Sequence, residues 1–180
     1  MMSSIVFASL SSARDKGTIA AAQQFSKSLY TAKGADAIVL LNFDEGSGVA
    51  TDSSGFGNDA TLVGAVYDSA NTVNNRGYSL YTDGITYAQV PYKSNFDFNQ
   101  NGFTFSAWIK PTAYNQPCNM FMGKSLPYFN VGGGSNNQKL HMSMSAAGSQ
   151  RSVYGSTVVT LSKWHHVAAT YDSLGYMKVY

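Results

Sequence analysis

Asp44 and Glu45 are adjacent carboxylates, and a pair of acids is what hydrolysis of a glycosidic bond requires. Successive side chains of an extended segment point to opposite faces, so these two cannot flank one bond. They read instead as loop carboxylates that bond turn amides. His165 and His166 suggest a metal and fail for the same reason, because neighbours on a strand cannot both reach one ion. The arrangement expected from the sequence has His166 packed inside against a buried polar group and His165 facing outward. His141 alternates away from Leu140 and Met142, which marks it as a surface or groove residue. No Ser/His/Asp or Cys/His spacing for nucleophilic catalysis remains, and the chain is expected not to be an enzyme.

Oxygen-rich loops offer a different chemistry. Residues 52–59 supply carboxylate, amide and backbone oxygens with glycines for sharp turns, which is what a hard cation such as calcium takes from an irregular loop. The same residues also suit an ion-free turn, with Asp52 forming an Asx-turn and Asn58 in a left-handed conformation. Aromatic faces next to amides offer a third chemistry, stacking on sugar C–H surfaces. Tyr114 with Asn115, Tyr128 with Asn130, and Tyr154 lie on or near predicted loops and are the candidate glycan contacts. Trp108 and Trp164 are expected to serve packing.

These residues must be positioned by a chain of 180 residues, about one domain in length, which excludes a large multidomain enzyme. Charged residues make up 12% of it, about half the share usual for soluble domains, so disorder and a charged coiled coil are both excluded. The 12 Tyr, 10 Phe and 17 Gly suit pleated strands and tight turns. A net charge of +2 without a basic cluster provides no footprint for nucleic acid. The single Cys118 permits no internal disulfide and no multi-cysteine zinc site. No apolar stretch reaches the roughly 18 residues of a spanning helix.

Residues 3–33 contain no Pro and are rich in Ala, Ser, Gln and Lys, and they predict one long helix with Ala21, Phe25 and Leu29 on its apolar face. Gly34 is placed to end it. The pattern then changes to short apolar runs between Gly, Asn, Asp and Ser. Strands are predicted at 37–43, 61–66, 78–81, 87–91, 103–110, 120–123, 140–145, 153–159, 164–171 and 176–180. The fold class is mainly β, a sandwich with one long N-terminal helix. Phe103, Phe105, Ala107 and Ile109 form one predicted inner face, and Leu140, Met142 and Met144 another.

Residues 42–48 (NFDEGSG) and 52–62 (DSSGFGNDATL) resemble the opening of laminin-G-like domains of the concanavalin A-like jelly-roll superfamily. The likeness continues in order through 81–84 (YTDG), 103–111 (FTFSAWIKP) and 164–172 (WHHVAATYD), covering roughly residues 37–180. It implies two curved antiparallel sheets and a module that binds glycans or protein surfaces outside the cell, most members not being enzymes. It also implies a structural calcium ion, for which Asp52 and Asn58 are the positions carried over, with Asp83 a third. Ala60 stands where the family usually has Gly, and the match runs out at Tyr180, where further strands are expected.

Residues 3–17 (SSIVFASLSSARDKG) resemble the stretch after the apolar core of a bacterial type IV pilin or pseudopilin signal helix. That likeness implies an upstream membrane-inserting segment and partners among pilus or secretion-system subunits. The expected organisation is a pilin-like helix over residues 1–35, truncated at its start, and a jelly-roll sandwich over 36–180, truncated at its end. The expected function is a surface-displayed adhesion subunit, extracellular or in the cell envelope, that presents a lectin-like domain. The alternatives are a pseudopilin with a structural role in secretion and a glycan hydrolase of the same fold.

Overall fold

The computed structural model describes residues 2–73, 75, 77–97, 102–114, 119–123, 127–131, 138–146 and 149–180. Helix α1 spans Met2–Lys33 and is followed by a short 3-10 turn at Gly34–Asp36. Among the described residues eleven strands follow: β1 (Thr61–Val63), β2 (Val66–Asp68), β3 (Ser79–Tyr81), β4 (Tyr87–Gln89), β5 (Phe103–Ile109), β6 (Asn119–Gly123), β7 (Tyr128–Val131), β8 (Lys139–Ala146), β9 (Ser149–Val158), β10 (His165–Tyr171) and β11 (Met177–Val179). The chain is mainly β and its strand pairs are antiparallel, as the composition and turn spacing predict. It forms two compact units, one of residues 1–29 with 100–180 and one of residues 30–99.

The larger unit is a sandwich. One sheet has the order β11-β10-β5 and the other β6-β7-β8-β9. Phe129, Leu140, Met142, Met144, Val159, Val167 and Ala169 form its buried core, with Phe103, Phe105, Ala107 and Ile109 packed against them. Both predicted inner faces are therefore the observed ones, because period-2 alternation fixes the face once one side is buried. Phe129 and Met142 are wholly buried, each contributing about 2–3 kcal/mol through removal of apolar surface from water.

The opposite face of the three-stranded sheet is covered by α1. Phe25 meets the His166 ring at 5.4 Å and Tyr180 at 6.3 Å, and Lys163 Nζ lies 2.9 Å from Asp15 Oδ1. Between residues 13 and 33 the half-buried positions of the helix are Ile19, Ala22, Gln23, Ser26 and Leu29. Of the expected stripe, Leu29 is half-buried and Phe25 meets the sheet although partly exposed, whereas Ala21 is exposed. Ala and Ser distribute weak apolar character around the whole helix, so the sheet selects the face that Ile19 and Leu29 define. Phe25→Ala should cost about 1–2 kcal/mol in urea unfolding, less than a core aromatic, because the ring is 44% exposed.

This second covered face also explains the histidine pair. Val167, Ala168 and Ala169 are all buried, so β10 is covered on both sides. His165 shares the face of Val167 and Ala169, with Nε2 3.1 Å from the Thr160 carbonyl. His166 points to the opposite face, its Nε2 2.9 Å from Ser106 Oγ and its ring 5.2 Å from Trp108. His166 does meet a part-buried polar group as expected, but on the helix-covered face and not in the core, and His165 is half-buried, not outward-facing.

The smaller unit holds two short antiparallel pairs, β1 with β4 and β2 with β3. Residues 37–43, expected as a strand, make only the bridge Leu41 to Asp52. Leu40 N and the Ile38 carbonyl bond side chains, while the Leu40 carbonyl accepts from Ser53 N at 2.9 Å.

Candidate functional site

In the loop of residues 52–59 the structure brings Asp52 and Asn58 together. Gly55 and Gly57 take φ of +91° and +64° there, the left-handed region that favours glycine and lets the chain turn tightly enough to surround one side chain. Asp52 Oδ1 accepts from Leu40 N at 2.8 Å and Ser54 N at 2.9 Å; Oδ2 accepts from Ser54 Oγ at 2.6 Å and Asn58 N at 2.9 Å. The first pair includes the Asx-turn that the sequence allows. Burial alone would raise the Asp52 pKa, but the bonds from Ser54, Asn58 and Leu40 outweigh it and hold the carboxyl down at about 2. Asn58 is not left-handed. Its amide instead donates to the Ile38 carbonyl at 2.6 Å, tying down the segment expected to be a strand.

These residues do not fit a calcium ion. Calcium needs six to eight oxygens with free lone pairs, and the Asp52 carboxylate already uses all of its roughly four acceptor positions. The donors around it direct positive N–H ends at the position where a cation would sit. Asp83 Oδ1 is engaged in its own turn by Ile85 N, Thr86 N and Thr86 Oγ1. Among the described residues no group of three or more His, Cys, Asp or Glu side chains could hold a metal ion.

Asp44 and Glu45 are loop carboxylates that bond backbone amides, as expected. Asp44 Oδ1 accepts from Tyr78 N at 3.1 Å, while Glu45 takes Thr51 N at 2.9 Å and Tyr67 OH at 3.1 Å.

The glycan candidates separate by position. Tyr114 packs against the core, its hydroxyl buried without a hydrogen-bond partner and its pKa pushed up by burial. It serves the interior, contrary to the loop role expected of it. Asn115 lies outside the described residues. Tyr128 and Asn130 belong to β7, a strand the sequence does not reveal, because its four residues alternate polar and apolar over too short a run to stand out from a loop. Asn130 is buried, so its amide supports a neighbour and does not face solvent.

That neighbour is His141. Register places Asn130 opposite His141 and His141 opposite Tyr154, in one row across β7, β8 and β9. The row lies on the face away from the core, since Phe129, Met142 and Val153 hold the alternate positions. His141 Nδ1 is 3.1 Å from Asn130 Oδ1. The imidazole lies flat against the Tyr154 ring, centroids 4.4 Å apart and planes 8° apart. Burial lowers the His141 pKa below its usual value, so the ring is neutral at pH 7. Tyr154 remains 57% exposed. In the next row Ser143 Oγ lies 2.8 Å from Ser152 Oγ and accepts from Gln150 Nε2 at 2.9 Å. The result is a backed aromatic ring beside hydroxyl and amide groups. Of the sequence candidates it joins Asn130 and Tyr154, and it adds His141, whose alternation was legible but whose register against Tyr154 was not.

No curated protein and no solved structure matches the chain. A laminin G family model, described as the concanavalin A-like lectin/glucanases superfamily, matches residues 82–180. The match contains the strands that carry His141 and Tyr154 and leaves α1 and the loop of residues 52–59 outside it. The antiparallel jelly-roll sandwich, the observed inner faces and this match over more than half of the sequence together place the chain in the concanavalin A-like lectin/glucanases superfamily.

Proposed function

We propose that this protein is a non-enzymatic, surface-displayed binding subunit whose sandwich engages glycans, or protein surfaces, through the exposed Tyr154 ring, which His141 and Asn130 back. The observation that carries it is the exposed Tyr154 ring held flat against His141, an aromatic plate of the kind that stacks on sugar C–H faces. Acid chemistry is scarce around it. Asp172 is the only carboxylate side chain between residues 100 and 180, and it is engaged in a turn by Leu174 N and Tyr176 N, both at 2.9 Å. A glycosidase flanks the scissile bond with two carboxyl groups, so the composition favours binding over hydrolysis.

The helix gives the second half of the proposal. Its pilin-like sequence supports assembly with pilus or secretion-system subunits and a location at the cell envelope or outside the cell. Among the described residues no helix is long and apolar enough to cross a membrane.

A glycan screen of the whole chain, run with a reducing-sugar release assay, tests the first half. Saturable binding without release is the expected result, and release would identify a hydrolase. Recovery of the protein in sheared surface filaments tests the second half, and its absence from them would remove the pilin role.

A further inference from the structure

In the loop of residues 52–59 two backbone carbonyls face a side chain from far along the sequence. Lys93 Nζ donates to the Phe56 carbonyl at 3.1 Å and to the Gly57 carbonyl at 2.9 Å. We infer that this ammonium occupies the role of a cation, so that the glycine-rich loop is closed by Lys93 and needs no calcium to hold its shape.

Two converging carbonyls suit an ammonium, which carries three donors and no acceptor. Three of the four carboxylate oxygens of the loop are engaged. Both Asp52 oxygens accept two bonds each, and Asp59 Oδ1 accepts from Asp52 N at 2.8 Å. Asn58 Oδ1 is buried without a partner, and this amide oxygen with Asp59 Oδ2 is far short of a calcium shell. Lys93 also sits just before the 3-10 turn at Ser94–Phe96. Its two bonds span 36 and 37 residues of chain and extend the closure that the pairing of Thr61 with Gln89 begins.

The test uses the whole chain and follows thermal unfolding in EDTA and in millimolar calcium chloride, for the wild type and for Lys93→Met and Lys93→Arg. The wild-type Tm is expected to be the same in both buffers. Lys93→Met is expected to melt about 3–5 °C lower, as for the loss of one partly exposed charged contact, and Lys93→Arg to recover most of the difference. A wild-type Tm that rises saturably with calcium would overturn the inference, and so would a Lys93→Met protein that melts with the wild type. If Lys93→Met does not fold, the wild-type comparison and the arginine variant still decide the matter. The outcome is independent of sugar binding, which rests on different residues.

Discussion

Asp52→Ala is expected to unfold the smaller unit, lowering its stability by about 3 kcal/mol or more in urea titration. The substitution strands the amides of Leu40, Ser54 and Asn58, each of which donates to the carboxylate at 2.8–2.9 Å. A donor left unsatisfied in a buried place costs about 1–3 kcal/mol. Asp52→Asn should be nearly as damaging, since an NH2 group then faces amides that are themselves donors. Acid should reproduce part of the effect. The carboxyl titrates at about 2 when folded and at its ordinary 3.8 when unfolded, so the unfolded chain takes up the proton first. The stabilisation is complete above about pH 4 and is lost as the pH falls towards 2. An Asp52→Ala protein as stable as the wild type at pH 7, or one with an unchanged acid limb, would contradict this account.

The second large effect is on ligand binding. Tyr154→Ala should weaken sugar binding about 10- to 30-fold, the scale of losing one aromatic anchor worth about 2 kcal/mol. Tyr154→Phe should retain most of the affinity, because the stacking face and not the hydroxyl makes the contact. His141→Ala removes the plate behind the ring and leaves Tyr154 to be ordered on binding, so a loss of about 3- to 10-fold is expected. Calorimetry on the three variants, with Tm as a folding control, separates these cases. Binding that is unchanged in Tyr154→Ala would move the ligand site off this sheet face.

Much of the sandwich was legible without coordinates. Phe103, Phe105, Ala107 and Ile109 alternate with Thr104, Ser106 and Trp108, and Leu140, Met142 and Met144 with His141 and Ser143, and alternation with one buried side leaves only one choice of face. The same rule failed at His165 and His166. It assumes that one face is wet, whereas α1 covers the outer face of β10. The rule also missed β7, whose short run carries too little periodicity to be read. For residues 37–43 the apolar composition suggested strand pairing, but backbone groups of Leu40 and Ile38 are taken by the side chains of Asp52 and Asn58.

The sequence by itself determined the class of this protein: a β sandwich after a long helix, with its inner faces, its superfamily likeness and its shortage of paired acids. Those properties depend on local propensity, period-2 patterning and residue counts, which are one-dimensional quantities. Tertiary structure alone decided which groups meet. Asn130, His141 and Tyr154 form one row because strand register aligns them across three strands. Lys93 reaches the carbonyls of Phe56 and Gly57 across a separation of 36–37 residues. Both contacts depend on where distant backbone segments come to rest, and that is set by the packing of the whole chain, not by any pattern local to the residues themselves.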